Sequence, residues 1–192
     1  MYYINIVKNN NMKSKELKEV ERKAISLINM YFHDKKDKGG NSYIKHLWSV
    51  ADAVEREASI EVVDQQSSKG IFYQKAFIVA LLHDILEDTD TTEDELYKIG
   101  CDEEIVEAIK SVTRRKDEQY YFDFIERASK NDIGRLVKKY DLENNMDIRR
   151  LKSFGDYEQK RLKKYWYAWM FLKGEITSIE ANNAMHPDRL FR

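Results

Sequence analysis

The feature that most constrains this chain is an uninterrupted apolar run that ends in a histidine and an aspartate. The run covers residues 76–82, and His83-Asp84 follows it directly. A segment that is apolar on every side cannot lie on the surface, so other elements must enclose it. Periodicity alone would also allow a buried strand. We favour a helix over residues 71–86, because the stretch is long, contains two alanines and lies between segments with helical spacing.

The rest of the chain has few of the residues that form tight turns. It contains one proline and seven glycines in 192 residues, with no Asn-Gly or Asp-Gly pair. A fold of short strands joined by hairpins needs such residues. Apolar residues instead recur at steps of three and four, as in Leu17, Val20, Ala24, Leu27, Ile28 and Tyr31. The sequence therefore predicts an all-α fold.

Further helices are predicted from the same spacing. The second helix places His46 at the edge of its apolar side, so we expect this side chain to face inward. Thr92 and Glu95 form a capping-box pattern that starts a short helix, which Gly100 would end. The remaining helices are expected at residues 105–112, 120–128, 133–151 and 157–172.

Length and composition limit the domain organisation and the partners. A chain of 192 residues favours one domain, which we place at residues 14–175, between an N-terminal extension (1–13) and a C-terminal tail (176–192). Lys and Arg number 33 against 34 Asp and Glu, so the chain lacks the positive excess of a dedicated nucleic-acid binder. It also has no apolar stretch long enough to span a membrane.

The single cysteine and the N-terminal sequence predict a cytoplasmic protein. Cys101 is alone in the chain, so it can form neither an intrachain disulfide nor a Cys-x-x-Cys site. Residues 1–13 have no basic leader followed by a long apolar stretch, which a signal peptide needs. The oligomeric state is left open.

The pair at the end of the apolar run indicates a metal site. Burying an ionised carboxylate beside an imidazole is unfavourable unless something compensates for it. A divalent metal does so, because it accepts imidazole nitrogen and carboxylate oxygen together. Two partners for His83 and Asp84 occur elsewhere in the chain: His46 on the inward side of its helix, and Asp141. We expect these four side chains to ligate one metal ion, whose identity the ligand types leave open.

The order of these four residues is similar to that of the HD-domain metal-dependent phosphohydrolases. In that family a histidine, a His-Asp pair and a distal aspartate hold one divalent metal. Residues 82–89, Leu-His-Asp-Ile-Leu-Glu-Asp-Thr, resemble the hydrolase motif of the RelA/SpoT alarmone enzymes and their small stand-alone relatives. Residues 42–46, Val112-Thr113 and Lys138-x-x-Asp141-x-x-x-Asn145 resemble other signature segments of that group. The resemblance covers about residues 31–151 and implies a single HD-domain helical bundle around a buried metal site.

The resemblance also implies roles for further residues and manganese as the metal. The pair Glu87-Asp88 would serve catalysis, since a carboxylate near a metal can orient water and take its proton. If the helix continues through this region, Glu87 and Asp88 lie one turn beyond His83 and Asp84. The candidate substrate contacts are Asn145, Tyr43, Lys38, Lys45 and Lys138, in which the lysines would neutralise phosphates.

The function implied is removal of the 3′-pyrophosphate from a guanosine polyphosphate such as ppGpp. Two positions depart from the family pattern: Leu47 stands where proline usually follows the first histidine, and Asp37-Lys38 stands for an Arg-Lys pair in the loop that helps to hold the guanine nucleotide. The base is therefore left open. The alternatives are an HD-type nucleotidase or phosphatase that acts on another small nucleotide, and a non-catalytic nucleotide-binding partner protein.

Overall fold

The computed structural model describes residues 14–186, and the predicted extension at residues 1–13 and the last residues of the predicted tail, 187–192, lie outside this range. Ten α-helices and one 3₁₀ helix occur within the described residues, which contain no strand, as the sequence predicts. In chain order the α-helices are α1 (Ser14–Phe32), α2 (Ile44–Glu61), α3 (Ser68–Leu82), α4 (Ile85–Asp88), α5 (Glu93–Ile99), α6 (Glu103–Val112), α7 (Tyr121–Ser129), α8 (Asp132–Asn145), α9 (Asp156–Lys173) and α10 (Ser178–Met185).

Helix α3 is the central helix that the apolar run predicts. It packs against α1, α2, α6 and α8, and its residues from Ile78 to Leu82 are almost completely buried. The Ser67 side chain caps its start by accepting a hydrogen bond from the Gly70 amide. Gly70 lies so close to the preceding loop that a Cβ there would approach the Asp64 carbonyl oxygen to 2.6 Å. The helix is therefore anchored at its start, before it carries the His-Asp pair into the core.

The helix predicted over residues 71–86 is interrupted where the His-Asp pair occurs. Helix α3 ends at Leu82, and His83 and Asp84 form a turn before the single-turn helix α4. The His83 ring approaches the Ala80 carbonyl oxygen to 2.7 Å, and so supplies a partner for one of the last carbonyls of α3. Because of this turn, Glu87 does not lie one turn beyond His83 on a continuous helix, and that expectation was wrong.

Two boundaries near the C-terminal end also differ from the prediction. Helix α8 ends at Asn145 rather than at Leu151, and a 3₁₀ helix covers Ile148–Arg150. The Asp147 side chain starts this 3₁₀ helix by accepting a hydrogen bond from the Arg149 amide.

Within the predicted tail, residues 178–185 form α10, which Thr177 and Glu180 cap reciprocally. Helix α10 packs against α7 and α9.

The buried side chains form two groups of different character. The first, which we call the aliphatic core, lies between α1, α2, α3, α5, α6 and α8 and consists mainly of Leu, Ile, Val and Ala. The second, the aromatic layer, contains Tyr121, Phe122 and Phe124 of α7 together with side chains of α9 and α10. No helix in the described part of the chain is both long enough and apolar enough to cross a bilayer.

Candidate metal centre

The four predicted ligands converge at one point beside the aliphatic core. His46 lies on α2, His83 and Asp84 form the turn after α3, and Asp141 lies on α8. The Nε2 atoms of His46 and His83 are 3.2 Å apart. Asp84 Oδ2 lies 3.1 Å from His83 Nε2, and Asp141 Oδ1 lies 3.2 Å from His46 Nε2. The fold thus brings together residues that are far apart in the sequence, as expected.

Hydrogen bonds fix which nitrogen of His83 faces the other three residues. Its Nδ1 lies 2.7 Å from the Ala80 carbonyl oxygen, an atom that can only accept. Nδ1 must therefore carry the proton, and Nε2 presents a lone pair. Such a hydrogen bond from the far nitrogen is the usual support of a metal-ligating histidine.

Asn144, which was not among the predicted site residues, orients His46 in the same way. His46 Nδ1 lies 2.7 Å from Asn144 Oδ1. The Arg150 guanidinium donates a hydrogen bond to the same Asn144 atom, which identifies that atom as the amide oxygen and not the nitrogen. His46 Nδ1 is therefore the donor, and its Nε2 also presents a lone pair to the centre.

This arrangement fits a divalent cation. Two imidazole nitrogens and two carboxylate oxygens face each other over distances of 3.1–3.6 Å, where they repel one another unless a proton or a metal ion lies between them. Ligand atoms about 2.1 Å from one ion lie roughly 3 Å apart, which matches these separations. The donor set of nitrogen and oxygen is compatible with several divalent metals.

The electrostatics of the cluster favour positive charge. Burial would lower the pKa of His83, but the carboxylates of Asp84 and Asp141 outweigh burial and raise it to about 10. Burial likewise opposes ionisation of Asp84, yet the neighbouring imidazoles hold its pKa below the usual value. Either a proton on an imidazole or a divalent cation between the ligands would neutralise the negative charge of the two carboxylates.

Asp141 differs from the other three residues because both of its oxygens already accept hydrogen bonds. Lys138 Nζ lies 2.7 Å from Oδ2, and Asn145 Nδ2 lies 2.6 Å from Oδ1. The tightest group therefore consists of His46, His83 and Asp84, whose ligand atoms all lie within 4.8 Å of one another. Asp141 faces this group from α8. Burial would lower the pKa of Lys138, but the Asp141 carboxylate raises it above its usual value, so this lysine stays charged.

Tyr43 lies beside the centre, but its hydroxyl group is already engaged. It donates to Asp84 Oδ2 over 2.6 Å, and its ring stacks on Phe32 with the ring centroids 5.4 Å apart. Burial, followed by the charge of Asp84, raises the pKa of the phenol above its usual value. Tyr43 therefore remains a donor that orients the Asp84 carboxylate.

Glu87 and Asp88 lie at the edge of the centre, on the exposed side of α4. Glu87 Oε2 accepts a hydrogen bond from the Arg114 amide over 3.0 Å. Asp88 Oδ2 forms an ion pair with Lys35 at 2.8 Å. Both carboxylates line the same cleft as Asp84, and neither belongs to the tight ligand group.

The cleft next to the centre has a volume of about 390 Å³ and is rich in basic side chains. Of the predicted substrate contacts, Tyr43, Lys38, Lys138 and Asn145 line it, whereas Lys45 does not and is exposed on α2. Several basic residues in the cleft were not identified from the sequence: Lys36, Arg114, Arg150, Arg161 and Lys164.

Three of these basic residues, Arg114, Arg161 and Lys164, lie close to one another and to the predicted contact Lys38 in the cleft. We call these four residues the basic wall. Burial lowers the pKa of Lys164, and the charges of Arg114, Arg161 and Lys38 lower it further. Within residues 14–186, Nε of Arg161 is a buried polar atom with no hydrogen-bond partner. Cations that repel each other and have no carboxylate partner among the described residues are typical of a surface that binds an anion.

Aromatic rings support this wall from below. Lys164 Nζ lies 4.4 Å from the centroid of the Tyr121 ring, and Arg161 Cζ lies 5.7 Å from that of Tyr165. On α9, Lys164 and Tyr165 each lie about one helical turn beyond Arg161. This spacing is the signal in the sequence that could have identified the basic wall.

Comparisons with known proteins support the fold. No protein-family model and no curated protein matches the chain. The chain is similar to a solved structure described as "A metazoan ortholog of SpoT hydrolyzes ppGpp and plays a role in starvation responses". The TM-score is 0.62 with 19% sequence identity, over 93% of this chain and 97% of the other. This likeness confirms the predicted fold class: the chain has the all-α HD-domain fold.

Proposed function

We propose that this protein is a metal-dependent phosphohydrolase that removes the 3′-pyrophosphate from a guanosine polyphosphate such as ppGpp. One observation carries the proposal: the candidate metal ligands and the mutually repelling cations of the basic wall line one cleft. A substrate that bears several phosphates can reach both sides of such a cleft. The fold shared with a ppGpp hydrolase agrees with this choice.

In the proposed site His46, His83, Asp84 and Asp141 hold one divalent cation, for which we propose Mn²⁺. A bound divalent cation supplies Lewis acidity, because it polarises a phosphoryl oxygen and makes water a stronger acid. Tyr43 keeps the Asp84 carboxylate in place through its hydrogen bond. Lys138 balances the charge of Asp141 and, from its position in the cleft, reaches a phosphate as well.

We propose that Glu87 and Asp88 activate the attacking water during hydrolysis. The Arg114 amide holds Glu87 Oε2, so Oε1 is the atom that accepts a proton from the attacking water. Glu87 then gives this proton to the departing 3′ oxygen, and Asp88, held by Lys35, orients the water. The bond between that oxygen and phosphorus breaks, and a nucleoside 5′-diphosphate and pyrophosphate leave.

The basic wall supplies the phosphate contacts in this proposal. Arginine forms paired hydrogen bonds with phosphate, and lysine acts as a mobile point charge. Lys38, Arg114, Arg161 and Lys164 neutralise the phosphates, and Asn145 contacts the nucleotide near Asp141. Lys45 is exposed outside the cleft, so it is not part of the proposed contacts.

Product analysis with a nucleotide panel tests the proposal. The purified protein, loaded with Mn²⁺, is incubated with ppGpp, GTP, GDP and nucleoside monophosphates, and the products are separated by chromatography. We expect GDP and pyrophosphate from ppGpp, and no product from Asp84→Ala protein prepared in parallel. Orthophosphate from a simpler nucleotide would favour an HD-type nucleotidase. Tight nucleotide binding without any product would favour a non-catalytic binding protein.

A further inference from the structure

Arg150 joins two parts of the cleft that are distant in the sequence. It ends the 3₁₀ helix after α8, and its side chain is 22% exposed. Nε and Nη2 lie 3.3 and 3.2 Å from Asp37 Oδ2. Nη1 donates to the Asn144 carbonyl oxygen at 3.1 Å and to the Asn144 side-chain oxygen. All three nitrogens of its guanidinium are therefore engaged within the protein, in contrast to Arg161, whose Nε has no partner within the described chain.

On one side, Arg150 holds the loop of residues 37–41. Asp37 Oδ1 accepts from the Asn41 amide at 2.8 Å, and the Asp37 amide donates to the Asn41 carbonyl oxygen at 2.8 Å. Gly39 lies against the backbone of Arg150, where a Cβ would overlap its carbonyl oxygen. The loop carries Lys38, which lines the cleft. Arg150 thus sets the position of a basic-wall residue through both its side chain and its backbone.

On the other side, Arg150 acts on a proposed metal ligand through Asn144, and its Nη1 also lies 3.4 Å from His46 Nδ1. The guanidinium fixes the Asn144 amide with its oxygen towards His46 Nδ1, 2.7 Å away. If the amide turned over, its NH₂ group would face both the guanidinium and the imidazole N–H. His46 would then lose the acceptor that keeps its Nε2 lone pair directed at the centre.

We infer that Arg150 is a positioning residue that couples the orientation of the ligand His46 to that of the loop 37–41, without contacting metal or substrate. The inference rests on the proposed metal site but not on the proposed substrate. An ordinary surface ion pair would not have this effect, because removing it would change neither metal affinity nor loop order.

Two measurements on purified protein test the coupling without any enzymatic assay. The first is the affinity for Co²⁺, titrated by its visible absorption. The second is hydrogen exchange of the amides in residues 37–41. Arg150→Met should weaken Co²⁺ binding by about 10- to 100-fold, the usual effect of losing a supporting contact of a metal ligand. It should also speed exchange of the loop amides by about 10-fold.

Variants of Asn144 and Asp37 separate the effect on metal affinity from the effect on loop order. Asn144→Leu should weaken Co²⁺ binding by a similar factor and leave the loop amides protected. Asp37→Ala should speed loop exchange and leave Co²⁺ affinity within about 2-fold. In the double variant of Arg150→Met and Asp37→Ala, loop exchange should be no faster than in either single variant, because both remove the same contact.

Controls distinguish positioning from a general loss of structure. Arg149→Met removes a neighbouring arginine that is 86% exposed and pairs with Asp147, and it should change neither readout. Arg150→Lys keeps the charge but cannot form the paired contacts, so it should restore at most part of the Co²⁺ affinity. The exchange of α3 amides should be unchanged in every variant, which shows that the fold is intact.

The outcomes also separate this inference from the proposed function. If wild-type protein binds Co²⁺ and Arg150→Met binds it equally well, the coupling is refuted and the metal site stands. If Arg150→Met changes loop exchange alone, Arg150 is only a loop anchor and the inference is wrong. If the wild-type protein itself binds no divalent metal, the proposed function and this inference both fail.

Discussion

The two sides of the cleft are built from different parts of the protein. The metal ligands are attached to helices of the aliphatic core, and three of them, His46, His83 and Asp141, have side chains that are at most 5% exposed. The basic wall comes from the loop 37–41, the segment after α6, and α9, whose inner face belongs to the aromatic layer. The ligand side is largely buried, and hydrogen bonds orient its side chains. The basic wall carries cations that no carboxylate within residues 14–186 pairs with.

This difference follows from what each side has to do. A metal ion requires ligand atoms within a few tenths of an ångström of their positions, and tightly packed aliphatic side chains supply such rigidity. A phosphate can be neutralised by long side chains that adjust their conformation, so the basic wall tolerates looser support. We therefore expect substitutions on the ligand side to abolish function and substitutions on the basic wall to weaken it by degrees.

The largest expected effect is loss of the metal after removal of a ligand. His46→Ala and Asp84→Ala each leave an incomplete set of ligands and a poorly compensated charge in a buried position. Both variants should be purified without metal and should show no detectable turnover. Elemental analysis beside wild type measures the metal content. Stoichiometric metal in either variant would show that the proposed ligand set is wrong.

The next largest effect is a loss of turnover without loss of the metal. Glu87→Gln and Asp88→Asn keep the shape of each side chain but remove the charge that deprotonates or orients the attacking water. Each should lower kcat by about 100- to 10,000-fold, the usual contribution of general acid–base catalysis, while the metal content stays at the wild-type level. Steady-state kinetics with ppGpp measure the change. Wild-type rates in both variants would exclude a catalytic role for these carboxylates.

How much could be predicted from the sequence also differs between the two sides. His83 and Asp84 were predicted as ligands because an apolar run that ends in His-Asp requires a compensating charge, which can be inferred from local sequence. His46 was predicted because it lies on the inward side of its helix. The turn at His83-Asp84 could not be predicted, since it depends on a hydrogen bond from a ring nitrogen to the Ala80 carbonyl. Asn144 was missed because its role is defined by contacts with His46 and Arg150, which α2 and the 3₁₀ helix supply.

The basic wall was missed for a different reason. A chain with 33 Lys and Arg residues has many that are solvated, and solvated helix surfaces share the one-turn spacing that marks Arg161 and Lys164. Their role depends on how α9 lies across the cleft, which is set by packing of the aromatic layer. Lys45 illustrates the converse, because it is adjacent to His46 in sequence but points away from the cleft on α2.

Removal of the metal should destabilise the ligand side more than the aromatic layer. A ligand bound only by the native state at about 100 times its Kd stabilises the protein by about 2.7 kcal/mol. For a chain of this size the corresponding fall in Tm on chelation is roughly 5–10 °C. Calorimetry with and without chelator measures the shift. Hydrogen exchange should quicken around His46 and His83 but not in α10, and equal Tm values would contradict a stabilising metal.

The smallest effect is expected on the basic wall, where Arg161→Met and Lys164→Met each remove one of several charges. Each should raise KM for ppGpp by about 10-fold, or about 1.4 kcal/mol, and leave kcat and metal content near wild type, because neighbouring cations still hold the phosphates. Lys163→Met is the matched control, since this lysine lies beside Lys164 on α9 but is exposed and lies outside the cleft. High salt should reduce the difference between Lys164→Met and wild type, because ions screen a partly exposed charge. If kcat falls instead and KM is unchanged, α9 acts on the chemical step, and the division of the cleft into a rigid ligand side and an adaptable binding side is wrong.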